Sequence, residues 1–255
     1  MATALEQAST QLPRGRLIAR WFFAGMAILM LATSVAGFAP AILNPAGRLA
    51  PLSLLAAVHG LVFFVWLMLF LAQSLLIATG RVGYHRRLGF AAAFVLALMI
   101  PLGYVTTVTM VRRGFDLSGD QKIVPNPPAG SMDPLAASIF NFGYLLMFTI
   151  LAAGAVSFRH RPAIHKRLML FANIELMGAP IAHIMGHMNM LTPATIMIPF
   201  SFFLLAAVAR DYLAERRIHP LTTSLAIVLF VSQPIDGILI GPSAAWHQIA
   251  AWLTR

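Results

Sequence analysis

The chain has 255 residues, 59% of them hydrophobic and 10% charged, with a net charge of +10. Soluble domains carry about 45–50% apolar and about 25% charged residues, so this chain lacks the polar surface that a soluble globule requires. Its 18 Lys and Arg residues sit in short clusters between apolar runs, the positive-inside pattern of a polytopic membrane protein and not a nucleic-acid-binding face. With no cysteine, disulfides, thiolate metal sites and cysteine catalysis are excluded.

Only helices or closed barrels satisfy their backbone in hydrocarbon, and runs of about 20 apolar residues have the length of a spanning helix. The predicted class is therefore all-α, a polytopic membrane bundle of about seven transmembrane helices with the N-terminus inside and the C-terminus outside. Residues 1–16 form a cytoplasmic tail, 17–241 the membrane domain and 242–255 an outer interfacial amphipathic helix.

The first span covers 17–39. Ser34-Val35-Ala36 resembles a signal-peptide cleavage site, but the run exceeds the 7–15 residues of a signal core, which favours an uncleaved span. Spans two and three cover 51–79 and 88–111, the latter with Pro101 inside it. The loop 112–134, rich in Pro, Gly and Asp, reads either as a lid over the outer mouth or as a plain connector. Spans four to seven follow at 135–157, 167–190, 193–209 and 221–240. With this topology thirteen of the 18 Lys and Arg fall on the inner side, which sets the orientation. After Gly241-Pro242-Ser243, the residues Trp246, Ile249, Ala250 and Leu253 recur at helical spacing, and Trp246 and Trp252 are the expected interface anchors.

Two inner loops repeat. Gly80 to Ala92 reads GRVGYHRRLGFAA and His160 to Ala172 reads HRPAIHKRLMLFA. His85, Arg86 and Arg87 align with His165, Lys166 and Arg167 at an offset of 80 residues, so 51–111 and 135–190 are a candidate parallel repeat of hairpins. These basic triplets sit where helices leave the interface. They read either as clamps for haem propionates or lipid phosphates, or as simple topology markers.

The run HGLVFFVWLMLFLAQSLLIATGRVGYHRRLG together with RHRPAIHKRLMLFA resembles a family of bacterial multi-pass inner-membrane proteins, over roughly residues 55–182. That resemblance implies a bacterial cytoplasmic (inner) membrane and supplies no catalytic residues. The histidines at helix ends also resemble those of small b-type haem membrane cytochromes.

The fifth span is the unusual one, since it holds Glu175, Pro180, His183 and His187, and ionisable groups are costly in hydrocarbon. His183 and His187 are spaced i, i+4 and share a helix face. At ~1.5 Å per residue, His59, His183, His187 and Asp236 all fall near the outer third of their spans. Pro180 frees the carbonyl of Leu176 and predicts a bend, and Gly178, Ala182 and Gly186 form a small-residue stripe for a close neighbour. His59, Trp66 and Gln73 share one face of the second span.

Three readings follow. His59 with His183 or His187 could ligate haem b for electron transfer or haem handling. His59, His183, His187 and Asp236 could hold one divalent metal ion for an intramembrane hydrolase. Seven spans with an HxxxH helix resemble the progestin/adiponectin-receptor type of membrane hydrolase, which carries HxxxH on its last helix, whereas here it lies on the fifth. In the third reading no cofactor is bound, and the polar groups join helices or line a transport path. Glu175 is expected to bond to Asn173 or a facing helix, with a proton relay as its functional alternative. His247 is placed to swing onto the outer cluster. The partners implied are the bilayer and a membrane protein or second copy. No Gly-rich phosphate loop, HExxH or GxSxG is present.

Overall fold

The computed structural model describes residues 14–48, 50–114, 116–119 and 133–255. Most of the expected tail, and most of the loop read as a lid or connector, lie outside the described residues. The described chain is helical, with seven helices long and apolar enough to cross a membrane. This is an integral, multi-pass membrane protein.

The helices are α1 (Arg14–Leu43), α2 (Leu54–Ala78), α3 (Val82–Arg113), α4 (Pro134–Ser157), α5 (Pro162–Glu175), α6 (Gly178–His187), α7 (Pro193–Glu215), α8 (Pro220–Ile235) and α9 (Ala244–Leu253). Helices α5 and α6 make a single span, Pro162–His187, and α8 continues through one π-helical turn, Asp236–Ile240. The α2–α3, α4–α5 and α7–α8 turns lie on one face, here the basic face; α9 lies on the far face.

Helix ends follow local chemistry. Ser53, Asp133, Thr192 and Ser243 cap α2, α4, α7 and α9 by accepting backbone N–H bonds, and Pro occupies the first turn of α4, α5, α7 and α8. Nothing between Arg81 and Leu88 breaks a helix, so α3 begins at Val82 and takes the His85 motif into its first turn, earlier than the apolar run alone suggests. Likewise α5 begins at Pro162, which makes His85 and His165 the fourth residue of their helices. Helix α7 runs on to Glu215 because Arg210 and Asp211, polar in sequence, are buried with partners.

The α5/α6 span is the axis of the bundle. Of its most apolar stretch 67% is buried, against 11–33% in the other six spans. Phe171, Ile174 and Met177 are fully enclosed there among Met30, Met99, Phe148 and Phe200. Lipid is as apolar as these side chains, so cohesion rests on close packing and polar bonds more than on the hydrophobic effect. The backbones approach accordingly: a Cβ on Gly37 of α1 would stand 2.6 Å from the Pro180 carbonyl oxygen.

Candidate functional site

The break in the central span carries the site. Pro180 has no N–H to give the Leu176 carbonyl, and α5 stops at Glu175, with α6 resuming at Gly178. Within Pro162–His187, Glu175 sits at the midpoint. It is 2% exposed, and no hydrogen bond reaches its Oε2. The expected bond to Asn173 is not made: Asn173 accepts the Trp66 indole N–H at 3.0 Å and donates to the Met169 carbonyl at 2.8 Å. The Trp66 face of α2 does point into the bundle, as its heptad spacing with His59 and Gln73 predicts.

Tyr144 of α4 and Asp236 at the end of α8 lie within electrostatic reach of Glu175. The Tyr144 hydroxyl donates to Gln233 Oε1 at 2.8 Å, and both Glu175 and Asp236 lie within electrostatic range of that hydroxyl. Asp236 also acts on Glu175 directly through space. Gln233 is buried and its Nε2 has no partner.

Two close approaches build this wall. A Cβ on Gly178 would meet the Tyr144 ring at 2.6 Å, and one on Gly143 would meet Asp236 Oδ2 at 3.0 Å. The π turn aims Asp236 there, since Gly241 N–H bonds the Asp236 carbonyl at 2.8 Å and the extra residue rotates the helix end. Among the described residues no ion pair reaches Glu175 or Asp236. The arrangement is a pair of carboxyls within the spans, next to a broken helix, with two buried polar atoms, Glu175 Oε2 and Gln233 Nε2, that have no hydrogen-bond partner.

The residues expected to share one ion have the following neighbours. His59 is half-buried and stacks on Phe63 with ring centroids 4.1 Å apart. His183 is buried against Phe38 at 4.6 Å, with its Nε2 3.8 Å from Asp116 Oδ2. His187 is exposed, its ring 6.2 Å from that of His183 and its Nε2 3.2 Å from the Gly37 carbonyl oxygen. Asp236 belongs to the Glu175 site instead. Among the described residues no three His, Asp or Glu side chains gather closely enough to hold a metal ion.

At the basic face, His85 and His165 meet edge-on at 6.3 Å, and the His165 Nδ1–H donates to the Ala155 carbonyl at 2.8 Å. Arg86 and Arg87 are exposed. Arg167 is not: 3% exposed, it forms a bidentate pair with Asp211 at 2.8 and 3.1 Å and also bonds Glu215 Oε2 at 3.0 Å and Thr222 Oγ1 at 2.9 Å. Arg210 joins the same carboxylates at 2.7 and 2.6 Å, and Lys166 lies 3.4 Å from Glu215. Sequence reading placed Arg167 at the interface because Asp211 and Glu215 lie 44 and 48 residues further on.

On the far face α9 departs from its expected role in part. Trp252 is exposed, but Trp246 packs on Ile139 and donates its indole N–H to the Leu135 carbonyl at 3.0 Å, so it anchors α9 to α4 and not to lipid. His247 does not join the outer histidines; its Nε2 is 2.8 Å from Asp133 Oδ2. That pair holds the His247 pKa above its usual value through the Asp133 hydrogen bond. Burial pushes Asp133 up, yet the Ala136 N–H and His247 outweigh it and hold the carboxyl below its usual value. No protein-family model, curated protein or solved structure matches this chain.

Proposed function

We propose that this membrane protein translocates protons across the bilayer, with Glu175 as the carrying group. The observation that carries the reading is Glu175 itself: a carboxyl at the midpoint of the most buried span, at a helix break, with an unpartnered oxygen and a second carboxyl, Asp236, facing it. A buried acid of this kind is expensive in a membrane and by default marks an ion or proton path. Broken helices at mid-membrane depth are likewise tolerated where they line such a path.

The flanking polar groups support a route. His165 lies below Glu175 on the same span and His183 above it, each separated from it by about 12–15 Å of helix. The Tyr144–Gln233 bond fixes the geometry of the helix wall beside the break while leaving Gln233 Nε2 without a partner. The positive-inside rule puts the basic face in the cytoplasm, and the resemblance to bacterial inner-membrane proteins supports that location.

The experiment is a proton-flux assay in liposomes carrying the purified protein and an internal pH dye, under an imposed potential. Wild-type protein acidifies the lumen and Glu175→Gln does not. Equal flux in the two, or none in wild type, overturns the reading.

A further inference from the structure

We propose that the α2–α3 turn binds an anionic phospholipid, its phosphate between Arg81 and Arg87 and an acyl chain along Leu76, Leu88 and Ala91. The inference comes from comparing the two repeated hairpins and does not rest on the proton path. Arg81 and Arg161 are the residues preceding the first turn of α3 and α5, and Arg87 and Arg167 follow at the same spacing. In the second hairpin the protein neutralises its own cation: Arg167 is buried against Asp211 and Glu215, and Arg161 lies over the Phe158 ring at 5.7 Å. In the first hairpin no carboxylate among the described residues pairs with Arg81 or Arg87.

These two unmatched guanidinium groups line an open groove of about 810 Å³ with Tyr84 and the three apolar side chains just named. Gly80, in the left-handed region at φ 79, closes the turn between α2 and α3, and Arg81 follows it as a lining residue of the groove. The groove therefore offers two cations, a phenol and an aliphatic wall at the turn where two membrane-spanning helices end. That is the chemistry of an anionic headgroup with its attached chain, since guanidinium pairs bind phosphate in forked geometry and tyrosine favours the headgroup zone. A zwitterionic lipid brings its own ammonium group beside the two guanidinium groups, whereas phosphatidylglycerol brings the phosphate charge alone.

The test is native mass spectrometry of the full-length protein released from nanodiscs of mixed dioleoyl phosphatidylglycerol and dioleoyl phosphatidylcholine. Wild type is expected to retain phosphatidylglycerol selectively. Arg81→Ala/Arg87→Ala should lose that selectivity by about tenfold, with an unchanged melting temperature, because both side chains are exposed. Arg86→Ala removes a neighbouring exposed charge outside the groove and should retain it. Ala91→Phe keeps both arginines, fills the apolar wall and should weaken retention. Full retention in the double variant overturns the site, as does equal loss in Arg86→Ala, which would mark a diffuse surface-charge effect.

Discussion

The Tyr144 hydroxyl donates to Gln233 Oε1 at 2.8 Å, and this bond joins α4 to α8 on the wall that faces Glu175. Removing the hydroxyl strands a buried amide. Tyr144→Phe should cost about 1–3 kcal/mol of stability, the cost of an unsatisfied buried polar group, whereas Tyr144→Phe/Gln233→Leu should recover most of it. Thermal unfolding of the two variants in detergent checks this. A double variant that is less stable than the single one contradicts it.

Gly37→Ala brings a methyl group to 2.6 Å from the Pro180 carbonyl oxygen, a backbone atom that has no rotamer to escape into. The expected penalty is about 1–3 kcal/mol, typical of overpacking. Gly25→Ala is the matched control, with nothing within 4 Å of the new atom. Melting temperatures should separate the pair clearly, with Gly25→Ala equal to or above wild type.

The two repeated arginines should differ sharply in stability. Arg167→Ala leaves Asp211, 1% exposed, without its bidentate partner, and breaking a buried pair costs about 3–5 kcal/mol. Arg87→Ala removes an exposed side chain and should stay within about 0.5 kcal/mol of wild type. Comparable losses in denaturation of the two variants would show that the Arg167 network does not hold α5 to α7 and α8.

Docking of α9 should depend on pH through Asp133 and His247. The His247 pKa is raised above 6.5, so its contribution is complete below pH 6.5 and is lost as pH rises through the higher folded value. The Asp133 pKa is lowered below 3.8, so its contribution is complete above pH 3.8 and is lost as pH falls through the lower folded value. Amide exchange in α9 should thus be slowest between about pH 3.8 and 6.5, after correction for intrinsic rates. The pair is about one-third exposed, so the effect is local, and His247→Gln should erase its alkaline arm.

Much of this architecture is written locally in the chain. Apolar run lengths locate the seven spans, Pro180 announces the break, and the spacing of His59, Trp66 and Gln73 marks the inward face of α2. What could not be read is long-range pairing. Arg167 looks like a snorkelling cation until Asp211 and Glu215 arrive from α7. Depth counting grouped Asp236 with the histidines because it assumes regular helix, and the π turn carries Asp236 to Gly143 instead. The mid-span position of Glu175 is equally hidden in sequence, because the basic stretch before Arg167 reads as loop but is helical from Pro162 onward.

The most direct test of the proton path remains the liposome flux of wild type beside Glu175→Gln, which keeps the side-chain volume and removes the proton-binding oxygen. Asp236→Asn and Arg81→Ala serve as second-carboxyl and off-path controls. The path predicts flux in wild type and Arg81→Ala, a marked loss in Asp236→Asn and none above empty liposomes in Glu175→Gln. Flux in Glu175→Gln equal to wild type would contradict it.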